Sequence, residues 1–284
     1  MSHSRSDNIL IFLLRCCAFI AGVIIVLITV FLLKEALPVL RQVGLIDFLT
    51  DASWNPTEQL YNFTPMLWGT LLATIGSVLL AAPLAIFSAI FCQYYAPPFL
   101  AQLYRRILEL LAGIPSVVYG FWGLVVLVPL IRRLQPPGTS LLAGIAILTM
   151  MILPTIALTA NASLAKVPAE YLQGAAALGI SRWATMWGVV IPAAKSGLFT
   201  GLILGTGRAV GETMAVLMVC GNVVQTPDSL FAPMRTLTAN IALEMAYATG
   251  NHRSALFVSG LVLMAIILAL VIIAEVISQG RIYE

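Results

Sequence analysis

The sequence predicts an all-α membrane protein with six transmembrane helices and both termini on the cytoplasmic side. Three observations lead there. The 284-residue chain is 60% apolar and only 10% charged, whereas soluble domains carry about 25% charged residues. Apolar runs that meet the roughly 20 helical residues needed to cross a bilayer recur along the whole length. The breaks between them, such as Ser53-Trp54-Asn55-Pro56, Gln135-Pro136-Pro137-Gly138 and Thr226-Pro227-Asp228, carry the punctuation of turns.

The first run, 9–33, exceeds the roughly 7–15 apolar residues of a cleavable signal. Lys34-Glu35-Ala36-Leu37-Pro38 offers no small-residue cleavage site, so the run reads as a retained anchor helix. With the loop that follows it forms an N-terminal segment, 1–65, ahead of a transmembrane domain over 66–284. The other spans are expected near 66–92, 115–131, 141–160, 197–220 and 255–277. Ahead of the third span Phe99, Leu100, Leu103, Tyr104, Ile107, Leu108 and Leu111 repeat at helical spacing, opposite Gln102, Arg105, Arg106 and Glu109. This describes an amphipathic helix on the membrane surface or a cytoplasmic extension of the third span.

Orientation rests on lysine and arginine. An inside N-terminus puts Arg5, Arg15, Arg105, Arg106, Lys166, Arg182, Lys195 and Arg281 in the cytoplasm, against Lys34, Arg41, Arg132, Arg133, Arg235 and Arg253 outside. Cys16, Cys17, Cys92 and Cys220 lie in or beside apolar runs with no ligand spacing, which reads as packing rather than a metal or disulfide framework.

The stretch 161–196 spells two short helices. Pro168 suits a first helical position, Glu170 the positive end, and Gly179 the left-handed residue after the last turn. Ser181 can cap a second helix that Pro192 stops. Such a helix-turn-helix can read DNA, but Lys166, Arg182 and Lys195 are its only basic residues, too few for a phosphate-binding stripe, so no nucleic acid is expected. Leu172, Leu178, Ile180, Trp183 and Trp187 point instead to docking on another protein.

Ala175-Ala176-Ala177-Leu178-Gly179, followed by Val189-Val190-Ile191-Pro192, resembles the cytoplasmic loop signature of type I ABC importer permeases. That signature runs Glu-Ala-Ala, three residues, Gly, nine residues, Ile-x-Leu-Pro; here Gln173 and Gly174 stand at the Glu and first Ala positions. The resemblance implies the type I importer permease fold and a coupling helix, with Ala175, Leu178, Gly179, Ile180, Trp183 and Trp187 as the ATPase-facing set. Gly205-Thr206-Gly207-Arg208-Ala209-Val210-Gly211 lacks the Gly-Lys-Ser/Thr of a phosphate loop. The chain is therefore expected to be no enzyme and to bind no cofactor, with ATP used by a partner ATPase.

Arg208 and Glu212 stand out, because an ionisable side chain near the bilayer centre costs at least about 2.5–3.5 kcal/mol. Four residues apart on one helix, they share a face and can pair. Stepping about 100° per residue from Gly197 puts Gly201, Gly205, Arg208, Glu212 and Asn222 on one stripe. Small residues at this spacing mark close helix contacts, so the face points into protein. One reading is an interior salt bridge that locks helices. The other is a translocation path formed by Arg208, Glu212 and Asn222, with the planar donors of Arg208 meeting an anion.

Gly207-Arg208-Ala209-Val210-Gly211-Glu212-Thr213-Met214-Ala215-Val216-Leu217-Met218 and Gly221-Asn222 are similar to the PstC-type phosphate permease family. So are Glu109-Leu110-Leu111-Ala112-Gly113-Ile114-Pro115-Ser116-Val117-Val118-Tyr119-Gly120-Phe121 and Trp54-Asn55-Pro56. The resemblance implies a phosphate importer in the cell inner membrane. Its partners are a PstA-type second permease, a PstB-type ATPase dimer and a PstS-type phosphate-binding protein facing the loops 34–65 and 223–251. The residues alone leave open a permease for sulfate, molybdate or a phosphonate, and an independent channel or secondary transporter. No Ser/His, paired-Asp or zinc-ligand arrangement supports an intramembrane enzyme.

Overall fold

The computed structural model describes residues 5–44 and 46–279; Arg281 lies outside them. The chain forms two compact units, one of residues up to Asn62 with Glu244–Val262, the other of Phe63–Leu243 with the residues from Leu263 on.

In the first unit, α1 (Arg5–Val43) runs well past the expected anchor. Its apolar side chains from Leu10 to Leu33 are nearly all exposed, as the bilayer requires of a lone span. Pro38 does not end the helix, because it lies on an exposed face where water can satisfy the freed carbonyl. After the short α2 (Asp47–Thr50), strands β1 (Trp54–Asn55) and β2 (Leu60–Tyr61) pair antiparallel with Trp54 opposite Tyr61. Phe48 stacks on Tyr61 at 5.8 Å, and burial pushes the Tyr61 phenol above its ordinary pKa. The start of α13 (Gly250–Gln279) meets α1 through Phe31 and Phe257 at 5.6 Å. Glu244, buried, accepts from Trp54 Nε1 at 2.9 Å and lies 2.9 Å from His252 Nε2.

The second unit is built on α3 (Thr64–Tyr94) and α7 (Leu141–Leu164). Apolar all round, α7 must be buried, and it sits between α3 and α10 (Ile191–Gly211). Thr149 Oγ1 reaches Ser77 O across the α3 seam at 3.4 Å, and Tyr94 OH donates to Leu164 O at 2.9 Å near the far end. Helix α4 (Pro98–Gly113) is separated by a 93° bend from the span Ser116–Arg132, which joins α5 (Ser116–Trp122) to α6 (Val128–Arg132) through a π turn at Gly123–Leu127. The bend rules out a simple extension of the third span. Nor does α4 merely lie on a surface: Leu108 is buried with Ile152 and Ile156 of α7, while Phe99 and Leu110 stay exposed.

After α8 (Ala169–Ala177) comes a continuous helical rod, Arg182–Gly211, in which α9 (Arg182–Thr185) and α10 flank a π turn at Met186–Val190. Pro192 therefore does not stop the helix as its sequence position suggested. The π turn just before it changes the hydrogen-bond register where the proline ring and missing N–H would otherwise conflict. The expected span 197–220 is interrupted: α10 ends at Gly211 and a short α11 (Met214–Val219) follows. Beyond it the chain is laced to the start of α7. Ser140 N donates to Val219 O, Leu141 N to Ala232 O and Leu142 N to Leu230 O, which satisfies amides that a helix N-terminus leaves free. Helix α12 (Leu237–Glu244) then begins inside the bundle, with Thr236, Leu237, Ala239 and Asn240 buried. The stretch 223–251 is thus not simply an exposed loop.

Candidate functional site

The glycine stripe faces α7, as its spacing implies. A Cβ on Gly205 would sit 2.7 Å from Ile156 Cγ1, and one on Gly201 would sit 3.2 Å from Thr159 Cβ. Arg208 shares this side: its Nη1 donates to Thr155 Oγ1 of α7 at 3.1 Å, and the residue is half-buried. The close seam thus brings a guanidinium against a polar side chain in the interior of the second unit.

The expected pairing of Arg208 with Glu212 does not form; among the described residues no ion pair joins them. The helix ends between the two, with Glu212 extended at φ −69°, ψ 128°. A wheel drawn through an unbroken helix no longer applies. Glu212 Oε1 instead accepts from Ala215 N at 3.0 Å, taking up a free amide in the first turn of α11. Its carbonyl accepts from Thr238 Oγ1 at 2.8 Å.

Asn222 also leaves the stripe. Gly221 and Asn222 are both left-handed, at φ 90° and 56°, and turn the chain away after α11. Asn222 Nδ2 donates to Leu217 O at 2.8 Å, and its carbonyl accepts from Arg235 Nε at 3.0 Å. Arg235 Nη1 donates in turn to Asn240 Oδ1 at 2.9 Å. The sequence reading assigned Arg235 to an external loop and missed Thr155, Thr238 and Asn240. The available signal was composition: from Ser229 to Leu243 the chain has Arg235 as its single charged residue, unusual for a loop wholly in water. Two atoms of this cluster, Asn222 Oδ1 and Asn240 Nδ2, are buried without a hydrogen-bond partner.

At the other end, the loop between α7 and α10 has the predicted turn. Gly179 is left-handed at φ 69°, with Ile180 N bonded to Ala175 O and Gly179 N to Ala176 O at 3.0 Å each, a Schellman closure of α8. Pro168 immediately precedes α8, which begins at Ala169, one position after the expected first helical residue. Ser181 Oγ caps α9 by accepting from Ala184 N at 3.3 Å. Leu178 and Trp183 are 79% and 67% exposed; Ile180 and Trp187 are exposed as well. Leu172 is only half-exposed because it packs on the cluster of Ala160, Leu164 and Val190. Ala175 is not on the surface: at 5% exposure it faces inward, and its carbonyl closes the turn. Trp183 and Trp187 meet edge to face at 5.6 Å, and Trp187 also meets Phe87 of α3 at 6.3 Å.

The sequence profile of the binding-protein-dependent transport system inner membrane component family matches residues 81–283. A Bacillus subtilis protein described as a probable ABC transporter permease, YqgH, is 40% identical over 95% of this chain and 90% of its own length. The phosphate transport system permease protein PstC of Xylella fastidiosa strain 9a5c is 34% identical over 81% of this chain and 78% of its own. The probable PstC of Methanocaldococcus jannaschii is 34% identical over 87% and 86%.

Among solved structures, a chain of a bacterial alginate ABC transporter superposes with a TM-score of 0.66 at 14% identity, covering 97% of this chain and 96% of that one. A chain of the MetNI methionine ABC transporter, in an inward-facing form, gives 0.60 at 19% identity over 80% and 98%. These likenesses concern the fold, which is that of the membrane subunits of type I ABC importers. The chain is a multi-pass membrane protein that belongs to the family of binding-protein-dependent transport system inner membrane components.

Proposed function

We infer that this chain is the membrane-spanning permease subunit of an ATP-driven importer of inorganic phosphate. The observation that carries the substrate is the likeness to phosphate permeases, at 34–36% identity over most of the chain. The protein works with an ATPase and a substrate-binding protein; we propose that these are of the PstB and PstS types, with a PstA-type second permease. The chain has no nucleotide-binding motif, so hydrolysis falls to the ATPase.

The exposed Leu178, Ile180, Trp183 and Trp187 support α8 and the start of α9 as the ATPase contact, with Gly179 setting the turn and Ala175 holding it from inside. This reading puts the α8 end in the cytoplasm and both termini with it, in the cell inner membrane. Arg208 then supplies a guanidinium part-way along the path. Its hydrogen-bond partner, Thr155 Oγ1, is a neutral hydroxyl, so an arriving oxyanion can compete for its donors with charge-assisted hydrogen bonds. Glu212 serves the path by shaping the helix break rather than by neutralising Arg208.

The test is phosphate uptake by the assembled complex, with and without the ATPase and with competing sulfate, molybdate and phosphonate. Uptake that survives loss of the ATPase would argue for an independent channel or secondary transporter. Equal competition by sulfate would argue for a general oxyanion permease.

A further inference from the structure

We propose that Thr155 is a second substrate contact beside Arg208, its hydroxyl orienting the empty guanidinium and donating to the anion once it binds. The inference rests on the reading of Arg208 as part of a phosphate path and names the residue of the neighbouring helix that completes it.

The register of the α7–α10 seam fixes which side chains can meet. Gly197 abuts Ser163, a Cβ on Gly201 would sit 3.2 Å from Thr159 Cβ, and one on Gly205 would sit 2.7 Å from Ile156 Cγ1. The two helices therefore run antiparallel, and the next turn of α10 brings Arg208 to the level of Thr155.

Thr155 behaves unlike the other hydroxyls of this seam. A serine or threonine inside a helix commonly donates its proton to a backbone carbonyl one turn back. On α7, Thr149 donates to Ile145 O at 2.7 Å, Thr159 to Thr155 O at 2.9 Å and Ser163 to Thr159 O at 2.8 Å; on α10, Thr206 donates to Leu202 O at 2.7 Å. Thr155 Oγ1 instead accepts from Arg208 Nη1 at 3.1 Å, and among the described residues its own proton meets no acceptor. A guanidinium carries five N–H donors, and among the described residues this bond engages one of them. Both side chains are half-buried, so the unused donors are sheltered yet within reach of an ion. A cation beside an uncommitted hydroxyl, with no acceptor for either, suits an anion.

The planar guanidinium can grip one edge of a tetrahedral oxyanion through two parallel bonds. The Thr155 hydroxyl, coming from the other helix, offers a third oxygen a donor from a different direction. Accepting from a cation also polarises that O–H and strengthens it as a donor. The bound anion then bridges α7 and α10. Moving α10 away from α7 takes away one of its ligands, so the displacement that parts the helices also lets the anion go.

The experiment measures initial phosphate uptake per assembled complex in proteoliposomes with the ATPase and binding protein. In the same complex without binding protein, the phosphate Kd is read from the rise of melting temperature with phosphate at constant ionic strength. Thr155→Ser keeps the hydroxyl and should stay close to wild type in both. Thr155→Val keeps the shape but not the hydroxyl, and it should raise the Kd at least about tenfold, with uptake falling to match. A residue that only joined the two helices would lower the melting temperature of the empty complex and leave the Kd where it was. Should Thr155→Val fail to assemble, Thr155→Cys, with its weak S–H donor, should show the same rise in Kd. A wild-type Kd in assembled Thr155→Val or Thr155→Cys overturns the inference. So does a Thr155→Ser complex as impaired as Thr155→Val, or a wild-type complex that phosphate does not stabilise. Arg208→Gln reads the underlying assignment: normal uptake there removes the whole site, whereas lost uptake there with normal uptake in Thr155→Val removes only the threonine from it.

Discussion

Replacing Arg208 with glutamine separates assembly from transport, because among the described residues the guanidinium has no acidic partner to orphan. The change removes one hydrogen bond from a charged donor, Nη1 to Thr155 Oγ1, at a net cost of about 1.5–3 kcal/mol. It also removes a cation whose insertion near the bilayer centre costs at least about 2.5 kcal/mol. The two nearly cancel, so assembly should be about unchanged. Transport has a different balance. Two charge-assisted bonds to phosphate, at about 1.5–3 kcal/mol each, sum to about 3–6 kcal/mol. At 1.4 kcal/mol per tenfold, uptake should fall by about 10² to 10⁴. Arg208→Lys, which loses the two-point geometry but keeps the charge, should fall by about 10 to 100. The assay is initial phosphate uptake divided by the amount of complex recovered by co-purification with the ATPase. Wild-type uptake per complex in Arg208→Gln, or a loss that only tracks reduced assembly, would refute the assignment of Arg208 to the path.

Gly179→Val forces a β-branched residue into φ 69°, at a cost of about 1–3 kcal/mol. It should lower ATPase co-purification while insertion is normal, although a Cβ there meets no atom within 4 Å. Glu212→Ala removes the acceptor for Ala215 N and should destabilise the complex by about 1 kcal/mol, whereas Glu212→Gln keeps an oxygen there and should be milder. Gly205→Leu drives a side chain into Ile156 and should cost at least about 1–3 kcal/mol, read as a lower melting temperature and yield. Trp54→Phe removes a donor to buried Glu244, and a loss of about 1.5–3 kcal/mol should appear as weaker protease resistance of the segment around residues 54–61.

Features written in local chemistry were legible from residues alone. Gly179 and Ser181 announce a turn and a cap because each acts on backbone within a few positions. The spacing of Gly201 and Gly205 announces a close seam. The break at Glu212 was not legible: Gly207 to Met218 contains no proline, and the glutamate that takes up the Ala215 amide is not among the preferred capping types. The inward course of 232–240 was equally hidden, because its polar groups are satisfied at long range. Leu237 N finds Thr70 167 positions away, and Thr238 finds Glu212 26 positions away. Hydropathy registers the cost of burying such residues but not the distant partners that offset it.

The uninterrupted rod Arg182–Gly211 is 30 residues long, or about 45 Å at 1.5 Å per residue. One end carries the Schellman turn and the exposed tryptophans; the other stops at the two residues before α11. Beyond that stop, the lacing of Val219, Leu230 and Ala232 onto the first turn of α7 anchors the chain. Mechanically this is a lever with its load arm at the proposed ATPase contact and its fulcrum at Glu212 and Thr213. A tilt of about 10° about the fulcrum sweeps the far end through about 8 Å, more than one 5.4 Å helical turn. Arg208, one turn from the fulcrum, moves by only about 1 Å, which is enough to change a hydrogen-bond partner. A large stroke at the membrane surface is thus geared down to a change of partner at a single guanidinium.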